Sequence, residues 1–277
     1  AVKYIPLSAS KLNKLHTVAM VYEHKLENLR DAAACHERCL QLDAGNKESL
    51  AELERLLREM GDWKRLVVIL QHHLKVLSAN TDRADIYMRL GKIYHQELSR
   101  GDLAEQSYNS VLDLDASNSE ALSELADLYE RSGNWFQAME SLQRQLVQIE
   151  DDELKLPILV RIGSIQKDML LELPKARESF LQALSIDPEY EPALRVLKEI
   201  ALVEEDWDAY ERHLLALGAT TENQNTKAEL WLEAGRFYAQ NKEDDDRAIV
   251  HYERALEIIP GFLEACRELG EIYFRNE

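Results

Sequence analysis

The chain predicts an all-α fold, an α-solenoid of about seven and a half helix-turn-helix units, and three observations lead there. Trp63, Trp135 and Trp207 recur every 72 residues, each directly after a two-residue turn: Gly61-Asp62, Gly133-Asn134 and Glu205-Asp206. Apolar residues repeat with helical rather than strand period, with Leu50, Leu53 and Leu57 at i, i+3 and i+7, and Leu66, Leu70 and Leu74 at i, i+4 and i+8. Only 10 Gly and 6 Pro occur in 277 residues, while Leu, Ala, Glu, Lys and Arg dominate, which suits long helices joined by short turns. A repeat array grows by adding units rather than by enlarging one core, so length does not set the number of domains.

Each 72-residue block holds the two-helix unit twice. In the half without the tryptophan, Ala32, Cys39 and Leu40 recur as Ala104, Val111 and Leu112, then as Ala176, Ala183 and Leu184, then as Ala248, Ala255 and Leu256. Each set closes on a turn: Asp43-Ala44-Gly45-Asn46, Asp115-Ala116-Ser117-Asn118, Asp187-Pro188-Glu189-Tyr190 and Ile259-Pro260-Gly261-Phe262. Taken in order, the first helices carry a small residue and then an aromatic: Ala19/Tyr22, Gly91/Tyr94, Ala126/Tyr129, Gly163/Gln166, Gly235/Tyr238 and Gly270/Tyr273, with Gln166 the departure. Small residues let neighbouring helices approach, and the Leu and Tyr positions fill the volume beside the contact. Trp63, Trp135 and Trp207 are expected to cap the contact between helices and to be partly buried.

This pattern resembles the tetratricopeptide repeat, a 34-residue helix-turn-helix with a small residue and an aromatic on its first helix and alanines on its second. Trp231 stands where the family opens with an aromatic. The resemblance implies a right-handed superhelix. Odd units carry one extra residue between their helices and even units three after the second, which accounts for the 72-residue period. The expected organisation is an N-terminal extension over 1–11 and a single solenoid over 12–277. Its units run about 12–46, 47–83, 84–118, 119–155, 156–190, 191–227 and 228–262, followed by a terminal helix over 263–277. Beginning without Met and ending one helix into a further unit, the sequence reads as a piece of a longer array.

The formal net charge of -18, from 51 acidic and 33 basic residues, argues against a general affinity for nucleic acid or anionic membrane. No segment is apolar for long enough to span a bilayer, so no membrane insertion is expected. Cys35, Cys39 and Cys266 make no disulfide framework and no CxxC metal motif, which favours a reducing compartment, the cytoplasm. Catalytic signatures are missing: no Gly-rich phosphate loop after a strand, no G-x-S-x-G elbow and no H-E-x-x-H helix. His72 and His73 are adjacent and point to different sides of a helix. Asp244-Asp245-Asp246 lies in a turn where acids serve a helix N-terminus. No enzyme activity, cofactor or metal is expected.

The resemblance implies that first helices line a concave groove. Its ligand-contacting offsets fall here on Met20, Arg55, Arg58, Lys92, His95, Lys167 and Arg236, with Arg131 and Arg195 on neighbouring offsets. A basic ladder on a strongly acidic protein suits an acidic or carboxylate-bearing segment of a partner. The alternative is that these cations pair with Glu59, Asp127, Glu130 and Asp168, each pair contributing little. A chaperone-binding subgroup clamps a terminal carboxylate with Lys and Asn on its first unit; here His16 and Met20 occupy those places, so that clamp is absent. The expected function is a non-catalytic scaffold binding partner proteins in the groove. Two alternatives stand beside it: the regulatory or targeting repeats of a larger protein with a catalytic domain elsewhere, and an array that self-associates through Leu269, Ile272 and Tyr273 of the last helix.

Overall fold

The computed structural model describes residues 7–276, with fifteen helices and no strand among them. Two compact units divide the chain, one ending at Asn134 and one beginning at Trp135. The first contains α1 (Leu7–His24), α2 (Leu29–Leu42), α3 (Lys47–Glu59), α4 (Trp63–Leu74), α5 (Asn80–Lys92), α6 (Gly101–Leu114) and α7 (Ser119–Arg131). The second contains α8 (Trp135–Gln148), α9 (Asp152–Ser164), α10 (Leu173–Ile186), α11 (Glu191–Val203), α12 (Trp207–Thr220), α13 (Gln224–Asn241), α14 (Asp245–Ile258) and α15 (Leu263–Asn276). Of the extension expected over 1–11, residues 1–6 lie outside the described residues and α1 begins at Leu7.

Two kinds of turn alternate, and each follows from the backbone. After α3, α7 and α11 the chain closes with a left-handed residue, Gly61, Gly133 or Glu205. The next amide donates back five residues, Asp62 to Leu57, Asn134 to Tyr129 and Asp206 to Ala201. After α5 and α9 the helix widens into a single π turn, Ile93–Glu97 and Ile165–Met169. There the closing amide reaches back six residues: Arg100 to Tyr94 and Glu172 to Gln166, with the same bond from Asn28 to Tyr22 and from Asp244 to Tyr238. The extra residue of the odd units is thus absorbed in a wider turn. Glu27, Ser99, Leu171 and Glu243 hold its left-handed position without glycine.

Helix starts are fixed by side chains. Asn46 and Asn118 accept from the amides of Ser49 and Ala121 at 2.8 and 2.9 Å, while Asp62 and Asp206 do the same for the helices that open on Trp63 and Trp207. Where Tyr190 offers no such bond, a proline in the first turn of α11 sets the backbone instead.

The core rests on close approach between the two helices of a unit. Tyr108 on α6 lies on Gly91, Phe180 on α10 on Gly163, and Tyr252 on α14 on Gly235, with all three rings almost fully buried. His36 occupies the same register on α2 and is also buried. Gln166, which breaks the aromatic series, accepts a 2.8 Å hydrogen bond from the Ser179 hydroxyl, so its polar group is satisfied inside the core. Trp63, Trp135 and Trp207 are half-buried, as the pattern predicted. Between α13 and α14 the rings interleave: His251 is stacked between Trp231 at 5.4 Å and Tyr238 at 5.0 Å. Arg254 and Arg247 cover the outer faces of Trp231 and Tyr238. Burial, reinforced by Arg254, pushes the His251 pKa down to about 4, which keeps the ring neutral.

Candidate functional site

Within each compact unit the first helices of successive repeats are joined by ion pairs, and most of the cations expected to meet a ligand take part in them. In the first unit Arg55 on α3 reaches Glu23 on α1 at 2.5 Å and also Glu52 and Glu59 on its own helix. Arg58 meets Glu54 at 2.5 Å, and Arg89 on α5 meets the same carboxylate at 2.8 Å while also pairing with Asp85. Lys92 bridges from α5 to Glu120 on α7 at 2.5 Å and lies 3.8 Å from Glu124. The hydrogen bond to Glu120 holds the Lys92 ammonium above its ordinary pKa. Arg131 lies 3.3 Å from the His95 ring, and Met20 is exposed. His16 contacts Ser49 at 2.7 Å and Glu48 at 3.3 Å, across α1 and α3.

The second unit repeats the scheme. Lys167, in the π turn after α9, meets Glu199 on α11 at 2.9 Å and Asp168 at 3.6 Å. Arg236 on α13 meets Glu264 and Glu268 on α15 at 3.0 and 3.1 Å, two periods on from Lys92 with Glu120 and Glu124. Arg195 pairs with Glu191 on its own helix. Of the carboxylates expected as partners, Glu59 and Asp168 pair with these cations, and bonds between helices also run to acids outside that set: Glu23, Glu54, Glu120, Glu199 and Glu264.

One bridge occurs in both units with its charges exchanged. Glu54 with Arg89 in the first unit becomes Lys198 with Glu233 in the second, at positions two periods apart, and the bond is 2.8 Å in each. Attraction rather than a particular residue is what that place requires. Lys198→Glu is expected to destabilise the second unit by about 1 kcal/mol, discounted because Glu233 is partly exposed. Adding Glu233→Lys should return most of the loss when the cycle is run in a Tyr210→Phe background, which removes the hydroxyl that donates to Glu233 at 2.6 Å; denaturation midpoints are the readout. Failure of the second change to restore anything there would show that the pair contributes no attraction.

Two hollows flank the Glu54–Arg89 bridge. Toward the start of α5 lies a cavity of about 520 Å³ between α3, α4 and α5, with Leu50, Leu70 and Ile86 on its apolar side and His73 beside them. Burial, and then Arg89, lowers the His73 pKa. Toward the end of α5 lies a hollow of about 190 Å³ formed by Trp63 and Ile93, around which Arg58, Arg89 and Lys92 converge with Glu97 as the one carboxylate. Phe237 takes the place of Ile93 two periods later and packs on Trp207 at 6.1 Å, so the larger ring fills what isoleucine leaves open. Neither Arg89 nor the role of Trp63 as a wall was legible from groove offsets. Comparing the chain with itself two periods on would have exposed the charge exchange and the Ile-for-Phe change.

An array of paired helices with ion-paired first helices defines an α-solenoid of the kind that serves as an interaction scaffold. Tetratricopeptide repeat models match residues 49–84 and 121–156, and residues 84–118 and 228–262. The chain belongs to the tetratricopeptide repeat family. Among solved structures, the C-terminal part of a TPR repeat-containing protein from Cytophaga hutchinsonii is 15% identical, with 93% of this chain and 99% of that one covered and a TM-score of 0.57. The structure of Naa15/Naa10 bound to HypK-THB is 14% identical, with coverages of 95% and 39% and a TM-score of 0.55. MamA protein is 22% identical, with coverages of 64% and 92% and a TM-score of 0.48. At these identities the likeness shows the fold alone. No curated protein matches the chain. No helix among the described residues is long and apolar enough to cross a membrane.

Proposed function

We propose that the chain is a non-catalytic scaffold that binds partner protein segments on the faces that the first helices form within each unit. In the first unit the acidic or carboxylate-bearing part of such a segment sits in the hollow over Trp63. The convergence of Arg58, Arg89 and Lys92 on an open space with a single acid, Glu97, carries this reading. Their existing pairs are partly exposed and individually weak, so a ligand carboxylate can join or exchange with them at little cost. Met20, Arg55, His95 and Arg131 in the first unit, and Lys167, Arg195 and Arg236 in the second, are assigned to the same kind of surface. The three cysteines are free, in keeping with a cytoplasmic protein.

The test compares the chain with the Arg55→Glu, Arg58→Glu, Lys92→Glu variant, once circular dichroism shows equal helicity, as baits in a lysate. Loss of particular proteins from the variant alone is the expected result, and identical sets on both baits would overturn the reading.

Self-association through α15 is the second reading. Of the face expected to self-associate, Ile272 is buried in the chain's own core and Leu269 packs against it, which leaves Tyr273 exposed, with Phe274 beside it and open space at Gly270. A monomer mass in sedimentation that does not change with concentration would remove it.

A further inference from the structure

We infer that the 520 Å³ cavity between α3, α4 and α5 is a specificity pocket for one bulky apolar side chain, aromatic or large aliphatic, and that the partner segment carries this side chain about four residues from its acidic group. The inference rests on the carboxylate reading of the Trp63 hollow and extends it to the neighbouring space.

Where α4 meets α5 beside the pocket, two residues differ from their counterparts in the second unit. There Gly218 on α12 lets the Trp231 ring lie against the backbone, so closely that a Cβ at that position would stand 3.0 Å from it. Two periods earlier the residues are Leu74 and Tyr87, which line a separate hollow on the α4–α5 contact. Helix α4 also stops after 12 residues, whereas α12 runs for 14 from the equivalent tryptophan. Between α3, α4 and α5 lies the gap into which Leu50, Leu70, Leu77 and Ile86 present apolar surface. A volume in this range accommodates a large side chain or a small ligand.

Position and charge select the occupant. Glu54 and Arg89 border the pocket, and Arg89 borders the Trp63 hollow as well, so one continuous segment passing over their bridge meets both spaces. On α5 the pocket is lined around Asp85 and the hollow around Ile93, which at about 1.5 Å per helical residue places their centres roughly 12 Å apart. An extended chain covers that distance in about four residues. The cations lie at the hollow end, whereas Asp82 and Asp85 lie at the pocket end, so the acid must point toward Lys92 and the apolar side chain toward Leu50.

The experiment measures fluorescence anisotropy of labelled Gly/Ser peptides with Phe and Asp four positions apart, against versions with Ser for Phe or Asn for Asp. The whole chain is used, together with Ala51→Trp and Thr81→Trp, two exposed positions on the pocket wall where a tryptophan fills the space without altering a charge. Expected is binding at least about tenfold tighter with Phe than with Ser, from the apolar area removed from water. Both filling variants should erase that advantage and leave the Ser peptide unchanged. A Phe advantage that is absent, or that survives both fillings, overturns the pocket. If affinity still falls with Asn for Asp and with Lys92→Glu, the carboxylate reading stands without it. Indifference to both of those changes, or no binding by any peptide, overturns the carboxylate reading and the pocket together.

Discussion

Phe180→Ala is expected to destabilise the second unit by about 3–5 kcal/mol, the largest single loss the fold predicts. The ring is fully buried in a cluster with Leu156, Leu159, Ala176, Leu197 and Ile200, drawn from α9, α10 and α11. It also lies on Gly163, where a Cβ would stand 2.8 Å from two of its atoms. Removing the ring opens a cavity between Leu156, Leu159, Leu197 and Ile200 and the backbone at Gly163, which fixed helix positions let close only in part. In a repeat array each unit is stabilised mainly by its neighbours, so the loss should show as an earlier helical transition of part of the chain rather than a uniform shift. Urea denaturation followed by circular dichroism, with hydrogen exchange to place the effect on α9 to α11, is the measurement. A loss under about 1 kcal/mol would mean that the ring is not the packing element its burial implies.

That ring series marks where reading the sequence stopped short. His36, Tyr108, Phe180 and Tyr252 keep the 72-residue spacing as faithfully as the tryptophans do, yet they attract no notice because their chemistry changes from imidazole to phenol to phenyl. What stays constant is a flat ring of a certain size facing a small residue, and only the packed structure shows the two together. The small residues themselves, the period, the half-buried tryptophans and the extra residue of the odd units were all legible, because backbone geometry leaves few alternatives at a tight turn or a close helix contact. The surface was legible only in part. Groove offsets locate Arg55, Arg58 and Lys92, but a side chain with four rotatable bonds can pair in several directions, and its partner is decided by the neighbouring helix. The cavity beside α4 is lined by side chains from three helices and from the loop after α4, and no repeat offset marks a hollow of that kind.

Gly91→Ala and Gly270→Ala should move stability in opposite directions, although both place the same methyl group on a first helix. In a helix interior alanine is favoured over glycine by about 0.5–1 kcal/mol, mainly through backbone entropy. At Gly270 nothing lies within 4 Å of the added Cβ, so that gain is fully realised and α15 is stabilised. At Gly91 the Cβ would stand 2.4 Å from Cε1 and 2.6 Å from Cδ1 of Tyr108. That ring has no room to retreat: it is fully buried, and its hydroxyl donates to Glu124 on α7 at 3.2 Å. Relief must come from moving α6 away from α5, which loosens the contact the helix pair is built on. The expected net cost at Gly91 is about 1–3 kcal/mol after the helix propensity gain is subtracted. Thermal and urea midpoints of the two variants, measured side by side, decide the matter. Equal shifts of the same sign would show that the glycine of the small-residue position is retained for some reason other than the ring above it.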